Sequence, residues 1–365
     1  MNPTGVSFLV CTYNGAPRIA ETLTCLAQQQ VPAGVLWEVI FVDNASTDSV
    51  AKIARRLWDE LGSPAPLRIL LEPRPGYKIA MERAISQIRY SYACIVDDDN
   101  RLAPDYLAVG VAVLNSNPTI GILGGQNTAT FDGQEPSWFP AFQHCYAVGQ
   151  PLDRAAGGFS SLPDGDVGRN VLWGAGMFVR IEIWTRLQEV GFKSLFTGRQ
   201  GEKDLTAGED DELCYIARLL GYQVWYSSKL HLRHHMTDSR MTPTYRDRLF
   251  YASVRSAGRL GAYRNALWGR AVKSSGVRSN LVKDILYMSL GLSNRVLNKA
   301  FVKAFLQGDT FYLMNCKHHF LTLYNFIGDF NHIRKHYSRV VELKNEVENK
   351  FKTIDLELQD GVQQS

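Results

Sequence analysis

The sequence predicts an α/β fold, with a mostly parallel sheet flanked by helices and followed by a helical C-terminal extension. Short apolar runs alternate with helical patterns through the N-terminal half, whereas the pattern beyond Arg240 is helical throughout. Repeated strand–helix units favour parallel strands with helices on both faces of the sheet. A chain of 365 residues is long enough for two domains, which we place at 1–238 and 239–365.

Four apolar runs are predicted to form the first strands, at 6–11, 38–42, 67–71 and 93–96. Near-continuous apolar composition is typical of strands that are buried on both faces. Each of the first three is followed by a helical pattern, and Ser46 or Thr47 is predicted to cap the second helix. A later helix with an acidic start is predicted to end at Gly221. A further strand is predicted at 223–226, and 171–179 is predicted to be ordered.

The composition is that of an ordinary globular protein, with 45% hydrophobic and 21% charged residues. No run of about 18 apolar residues occurs, so no transmembrane helix is expected. The first residues also lack the basic and apolar segments of a signal peptide. Six scattered cysteines without a CxxC pair suggest free thiols and a cytoplasmic location.

The net charge of +4 is unevenly distributed along the chain. Between positions 240 and 299, Lys or Arg occupies twelve positions, against two acids, Asp247 and Asp284. Such a basic amphipathic region predicts an anionic partner, either the inner face of the cell membrane or a phosphorylated acceptor. The alternatives are solvated helix faces, a helical lid or a dimer interface.

Three consecutive carboxylates, Asp97, Asp98 and Asp99, follow the fourth predicted strand. Like charges this close resist joint ionisation, so a bound cation would relieve the repulsion. Oxygen ligands suit Mg²⁺ or Mn²⁺, ions that usually also hold substrate phosphates. The alternative is a solvated acidic turn. Because parallel strands end side by side, we expect the triplet to lie near residues 12–15 and 43–44.

Two common phosphate-binding motifs are missing from the sequence. No GxGxxG follows the first strand and no GxxxxGK[ST] occurs, which argues against a dinucleotide-dependent dehydrogenase and a P-loop ATPase. If the chain binds a phosphorylated substrate, a metal on the acidic triplet is the predicted means.

Five segments in the same order and spacing resemble the family 2 glycosyltransferases, nucleotide-diphospho-sugar transferases of the GT-A fold. They are 10–15 (VCTYNG), 42–48 (VDNASTD), 96–99 (VDDD), 173–177 (WGAGM) and 208–214 (GEDDELC). The resemblance covers about residues 6–238. It implies an inverting transfer of a sugar, expected from a UDP-sugar, to a hydroxyl of a saccharide or lipid-linked saccharide, in cell-surface polysaccharide synthesis.

The resemblance also implies roles for individual residues. Asp43 is implied to bind the nucleotide base, and Asp210 to be the catalytic base that deprotonates the acceptor hydroxyl. Asp97 and Asp99 form the D-x-D motif, which with His234 would hold Mn²⁺ or Mg²⁺ against the departing diphosphate. The other implied contacts are Thr12, Tyr13, Asn14, Arg74 and Asp98 for the nucleotide and donor, and Trp173, Gly174, Ala175, Gly176, Glu209 and Asp211 for the acceptor and donor sugar.

Simpler interpretations of several of these residues remain open. The acids at 209–212 also favour a helix N-terminus, and Asp43 also suits a turn. His231, His234 and His235 could be loop histidines, Trp173 could serve packing, and Arg74 could lie on the surface. At 80–82 the chain has Ala-Met-Glu where the family often has Ala-Arg-Asn, which leaves the nucleotide open.

Two other functions remain as alternatives. A sugar-nucleotide nucleotidyltransferase would want a glycine-rich basic loop after the first strand, where residues 12–18 offer only Gly15 and Arg18. The second alternative is a non-catalytic protein that binds a nucleotide sugar or an anionic surface. The sequence lacks an RNP motif, so nucleic acid is not expected as a partner. The loops 131–168 and 197–208 are expected to select the sugar and acceptor.

Overall fold

The computed structural model describes residues 3–154, 160–196, 208–269 and 277–362, with side chains described as far as Phe351. The described residues form two compact units. The first runs to Leu187 and resumes at Glu209–Asp247, and the second comprises Gln188–Phe196, Gly208 and the chain from Arg248. The domain boundary at 238/239 stays a prediction, because compactness alone does not establish independent folding. The predicted loop 197–208 lies outside the described residues except for Gly208.

The first unit is built on one mixed sheet, in the order β3-β2-β1-β4-β8-β6-β9-β5 with β7 paired to β9. The strands β1 to β4 run parallel, as do β6 and β9, whereas β5, β7 and β8 are antiparallel to their neighbours. The predicted α/β class and its first four strands are confirmed. The strands are β1 (Gly5–Thr12), β2 (Leu36–Asn44), β3 (Leu67–Glu72), β4 (Tyr92–Asp97), β5 (Asn100–Leu102), β6 (Ile120–Phe131), β7 (Gly165–Asp166), β8 (Phe178–Arg180) and β9 (Gln223–Met236).

Helices pack on the sheet through their apolar stripes. The side chains of Ile19 and Leu23 are fully buried with Phe8, Trp37 and Trp58, whose rings meet edge to face at 5.9 and 6.0 Å. The helices are α1 (Ile19–Ala27), α2 (Val50–Glu60), α3 (Tyr77–Ile85), α4 (Tyr106–Ser116), α5 (Phe139–Phe142), α6 (Ile181–Glu189) and α7 (Glu209–Leu219), with 3₁₀ turns at Gln143–Tyr146 and Asp238–Arg240.

Several local predictions need correction. Ser46 and Thr47 do not cap α2, because Asp48 accepts the Val50 N–H at 3.1 Å and Ser46 accepts the N–H of Asn14. The strand predicted at 223–226 continues to Met236, so the histidines at 231–235 belong to a strand. Of the segment 171–179, only Phe178 and Val179 enter a strand. The predicted helix end at Gly221 is confirmed, since its φ of +87° lets the Tyr222 N–H reach the Ala217 carbonyl at 2.9 Å.

The C-terminal extension is helical, as predicted, and none of its described helices is both long and apolar enough to cross a bilayer. Asn298 and Asp309 accept backbone N–H groups at 3.0 Å and so cap α10 and α11. Tyr337 donates to Asp284 at 2.7 Å inside the unit. The helices are α8 (Pro243–Trp268), α9 (Val277–Val296), α10 (Lys299–Gln307), α11 (Thr310–Gly328) and α12 (Phe330–Val362).

The loops at the carboxyl ends of β1, β2 and β3 are joined by two asparagines. Asn14, in the left-handed region at φ +50°, accepts the Thr47 N–H at 2.8 Å and so joins the first loop to the second. Asn44, which is buried, donates to the Arg74 carbonyl at 2.7 Å and accepts the Gly76 N–H at 2.8 Å. The two amides thus join the three loops into one edge, and Asn44 does so through the N–H of the buried Gly76.

Replacing Asn44 tests how much this edge depends on a side chain. Asn44→Ala leaves the buried Gly76 N–H and two carbonyls without their partner, because Asn44 also reaches the Glu72 carbonyl at 3.3 Å. We expect the free energy of unfolding to fall by about 3 kcal/mol in urea denaturation. Gln30→Ala, at an exposed amide of the same unit, is the control and should change it by less than about 0.5 kcal/mol. An equal effect of both would show that Asn44 does not join the loops.

Candidate active site

The polar residues that were predicted to follow β1, β2 and β4 lie side by side at one edge of the sheet. Thr12 pairs with Asp43 across β1 and β2, and Cys11 pairs with Asp97 across β1 and β4. Parallel pairing in this register places the ends of β1, β2 and β4 at the same level, which is where open α/β sheets bind ligands. The chain then turns from Asp97 directly into β5, so Asp98 and Asp99 occupy the turn.

Asp98 is held within the protein. Its carboxylate accepts two hydrogen bonds from the Arg18 guanidinium, at 2.7 and 3.0 Å, and another from the Thr12 hydroxyl. The Thr22 hydroxyl donates to the Asp98 carbonyl at 3.0 Å, and the Asp98 carboxylate raises the pKa of Arg18. Asp98 is buried, so this arrangement favours an anchoring role for it. Its predicted donor contact stays a prediction.

Asp99 is buried and surrounded by cationic and polar groups. His234 Nε2 lies 3.2 Å from one carboxylate oxygen, and the Arg240 guanidinium lies 2.5 Å from the other. Asn100 donates to the first oxygen at 3.1 Å. Burial alone would raise the pKa of Asp99, but the charges of His234 and Arg240 outweigh it and hold the pKa well below its usual range. Asp99 is therefore an ionised carboxylate.

His234 is oriented by its second ring nitrogen. Nδ1 lies 2.9 Å from the Tyr146 carbonyl, which can only accept, so the hydrogen-bond network assigns an N–H to Nδ1. Nε2 then faces Asp99 either as the second N–H of an imidazolium or, in the neutral ring, with its lone pair. In the neutral ring, Nε2 and the Asp99 carboxylate form a nitrogen–oxygen donor pair of the kind that suits Mn²⁺. A backbone carbonyl on the opposite nitrogen is a common outer support for metal-bound histidine.

The donor pair of Asp99 and His234 fits a divalent cation only in part. Among the described residues, no group of three or more His, Cys, Asp or Glu side chains is arranged to hold a metal by itself. Mg²⁺ and Mn²⁺ sites that handle nucleotides often use one or two protein ligands and complete the shell with phosphate oxygens and water. The residues therefore fit a cation that arrives with a phosphorylated substrate.

Arg240 is a site residue that sequence reasoning missed. Its guanidinium contacts Asp99 and donates to the Tyr245 hydroxyl at 3.2 Å, while its carbonyl accepts the Tyr146 hydroxyl at 3.2 Å. Burial lowers the pKa of Arg240, but the Asp99 charge more than compensates and raises it above its usual range. The sequence signal was only the start of the basic region, which does not separate Arg240 from its basic neighbours.

Asp210 begins α7 with both carboxylate oxygens fixed by backbone groups. Oδ2 accepts the Gly174 N–H at 3.0 Å, and Oδ1 accepts the Asp211 N–H at 3.0 Å. Asp210 is partly exposed, as are Glu209 and Asp211 beside it. An oriented, accessible carboxylate can accept a proton from a hydroxyl. All three acids also lie in the first turn of α7, where the helix dipole favours negative charge.

The segment at 173–176 has structural roles, of which sequence reasoning foresaw only the packing of Trp173. Gly174 holds Asp210, Ala175 is buried, and Trp173 stacks on His144 with 6.0 Å between ring centroids. Gly176 has a φ of +71°, and its carbonyl accepts the Tyr106 hydroxyl at 2.8 Å. Contacts of these residues with a sugar stay predictions.

On the predicted nucleotide side, the residues differ in how freely they can meet a ligand. The Tyr13 side chain is exposed, and Asp43 is half-buried with Oδ1 accepting the Ser46 N–H at 3.1 Å. Arg74 makes two hydrogen bonds to Glu72, at 2.9 and 3.1 Å, and thereby lowers the pKa of Glu72 to about 2. A phosphate would have to compete with Glu72 for Arg74, so its nucleotide contact stays a prediction.

Gly176→Ala tests whether this glycine is required by packing. A Cβ there would stand 2.3 Å from the Tyr106 hydroxyl oxygen and 2.5 Å from a Leu232 methyl carbon. We expect the free energy of unfolding to fall by about 3 kcal/mol, combining overpacking with the positive φ.

Gly34→Ala is the matched control, because Gly34 has a similar φ of +78° and an added Cβ meets no atom within 4 Å. It should cost about 1 kcal/mol. Thermal and urea denaturation of both variants give the comparison, and equal losses would contradict the packing argument.

Comparison with known proteins finds a family match in the N-terminal part of the chain. Residues 7–152 match the family model of glycosyl transferase family 2. The poly-beta-1,6-N-acetyl-D-glucosamine synthase of Staphylococcus epidermidis is 26% identical over 121 residues, 33% of this chain and 28% of that protein. The chondroitin synthase of Escherichia coli is 26% identical over 122 residues, 33% of this chain and 17% of that protein. These matches therefore span less than a third of either relative.

A solved structure gives a weaker likeness. The crystal structure of S. aureus TarS 1–349 is 14% identical, covers 96% of this chain and 92% of that chain, and superposes with a TM-score of 0.49. The family match, by contrast, includes the ends of β1, β2 and β4 and the three aspartates at 97–99, whereas His234 and Arg240 lie beyond it. The resemblance stated from the sequence is confirmed by this match, which covers residues 7–152 of the 365-residue chain.

Proposed function

We propose that the protein transfers a sugar from a nucleotide-diphospho-sugar, expected to be a UDP-sugar, to a hydroxyl of a saccharide or lipid-linked saccharide. The observation that carries this proposal is the corner at the end of β4. There the ionised Asp99 meets His234 Nε2 and the partly buried guanidinium of Arg240. A leaving nucleoside diphosphate needs positive charge, and this corner can supply it from Arg240 and from a cation that Asp99 and His234 help to hold.

A divalent cation would act together with Asp99, His234 and Arg240. When bound, Mn²⁺ or Mg²⁺ supplies Lewis-acid stabilisation of the developing diphosphate charge. Asp99 and His234 are the residues that would hold it, with Asp97 beside them at the end of β4. Arg240 lies within ion-pair distance of Asp99, so its guanidinium can also attract the diphosphate.

Asp210 is proposed as the general base. Its carboxylate is fixed by the N–H groups of Gly174 and Asp211, and it can take the proton of the acceptor hydroxyl as that oxygen attacks the anomeric carbon. A single attack on the face opposite the leaving group inverts the configuration at that carbon. The backbone anchors keep the carboxylate in place without another titrating group.

Polysaccharide synthesis is the proposed setting. The curated relatives are named as a poly-beta-1,6-N-acetyl-D-glucosamine synthase and a chondroitin synthase, each matching about a third of this chain. We also propose that the enzyme works as a peripheral protein at the inner face of the cell membrane, where a lipid-linked acceptor would be found. The basic C-terminal region supports this setting.

The nucleotidyltransferase alternative is disfavoured by the first loop. Arg18, the only basic residue between β1 and α1, makes two hydrogen bonds to the buried Asp98. Asn14 is engaged with Thr47. A triphosphate therefore has no uncommitted basic side chain in that loop.

Asp210→Asn tests the proposed base. The amide keeps the size of the carboxylate but cannot take up the proton, so transfer should slow by about a thousandfold. Release of nucleoside diphosphate from UDP-N-acetylglucosamine, UDP-glucose and GDP-mannose is measured with Mn²⁺ and octyl glycosides as acceptors. The dissociation constant for UDP should stay within about twofold, and Asp166→Asn, on a surface ion pair with Arg218, is the control. Unchanged turnover in Asp210→Asn would exclude it as the base.

Arg240→Met tests whether Arg240 and a metal share Asp99. Without the guanidinium, Asp99 keeps only His234 as a cationic partner, so MnCl₂ alone should raise the melting temperature of the variant more than that of the wild type. Arg101→Met removes a similarly buried arginine, which is paired with Glu21. Its response to Mn²⁺ should match the wild type. A response of Arg240→Met no larger than that of Arg101→Met would refute the shared site.

A further inference from the structure

An unusual share of exposed apolar side chains lies on three helices of the second unit. Of the seventeen large hydrophobic side chains that are exposed among the described residues, thirteen lie between Val282 and Ile327. The most exposed are Leu297 and Leu306, at 85% and 78%, followed by Tyr287 at 73% and Phe305 at 68%. We call the outward side chains of α9, α10 and α11 in this stretch the apolar surface. Monomeric proteins rarely expose so many apolar groups together.

The spacing of these residues shows that the helices have two apolar faces. On α9, Leu281 is buried, whereas Leu286 and Leu290 point outward one turn apart. On α11, Met314 and Phe326 are buried, whereas Tyr324 is exposed. One face packs inside the unit, and the other meets no described residue that would bury it.

Basic side chains outnumber acidic ones around the apolar surface. Lys283, Arg295, Lys299, Lys303 and Lys317 are exposed and make no ion pair with any residue that the structure describes.

The two acids of the same stretch are committed to the fold. Asp284 accepts the Tyr337 hydroxyl, and Asp309 caps α11 through the Tyr312 N–H. The surface therefore presents apolar groups beside net positive charge.

We propose that the apolar surface of α9–α11 docks on an anionic phospholipid bilayer. On α10, Val302, Phe305 and Leu306 are exposed. Lys299 and Lys303 of the same helix are exposed too, and their stems can lie along hydrocarbon while their ammonium groups reach lipid phosphates. A second copy of this chain is a poorer occupant, because a two-fold interface would place the same positive charges opposite one another. An anionic lipid surface is complementary in both charge and polarity.

This inference deepens the membrane association proposed above by assigning it to named residues. It does not depend on catalysis, since vesicle binding is read without a nucleotide or an acceptor. Asp210→Asn should bind vesicles like the wild type, so a failure of the proposed reaction and a failure of the docking surface are separately visible.

The experiment is co-sedimentation of the full chain with vesicles of phosphatidylcholine alone or with 30% phosphatidylglycerol, about the anionic fraction at which basic surfaces bind. The wild type should bind the anionic vesicles at least about tenfold more tightly. Phe305→Ser/Leu306→Ser removes apolar groups without changing charge and should weaken this binding about tenfold. Lys303→Glu should weaken it to a similar extent.

Matched controls lie on the first unit. Leu36→Ser/Leu71→Ser removes two exposed apolar groups, and Lys52→Glu reverses an exposed helical lysine. Both should bind like the wild type. Circular dichroism melts and light scattering accompany every variant. Absence of binding, equal binding to both vesicles, or equal losses in the controls would overturn the proposal. So would a wild-type dimer that Phe305→Ser/Leu306→Ser converts to a monomer without affecting vesicle binding.

Discussion

The repulsion among three adjacent carboxylates at the end of β4 is the constraint on which the site depends. The fold gives two of these carboxylates cationic partners from distant parts of the chain. Asp98 receives Arg18 from the segment before α1, and Asp99 receives His234 from β9 and Arg240 from the turn after it. Both are buried, so these pairings have to form for the turn to be stable. The acidic turn thus ties the first strand–helix unit to the last strand of the sheet.

That arrangement gives the two adjacent carboxylates different surroundings. Asp98 makes three hydrogen bonds to Thr12 and Arg18, all within the first strand–helix unit. Asp99 instead faces an imidazole nitrogen and a guanidinium, groups that can also meet a metal or a diphosphate. The adjacent carboxylates therefore differ because of their partners. We infer that Asp98 keeps the turn in place and that Asp99 acts on the ligand.

The sequence was sufficient to predict the elements whose signals are local. Continuous apolar runs predicted β1 to β4. Because parallel strands end at the same edge of a sheet, the polar residues 12, 43 and 97 were then expected to lie together. Partners that come from far along the chain had no local signal. Nothing near Arg18 or Arg240 indicates that each would face an aspartate, and β9 extends through charged and histidine residues that resemble a loop. The resemblance implied a sugar contact for Gly176, which stays a prediction, whereas its contact with Tyr106 depends on tertiary packing and had no local signal.

The most direct test of the account is calorimetric titration of UDP, with GDP and dTDP for comparison, into wild-type protein and Asp99→Asn, with and without Mn²⁺. The account predicts that one diphosphate binds the wild type in a Mn²⁺-dependent way. Asp99→Asn should lose at least about tenfold in Mn²⁺-dependent affinity, because a neutral amide is a poorer ligand for a divalent cation than a carboxylate. Failure of all three diphosphates to bind with metal present, or equal binding by Asp99→Asn, would contradict it.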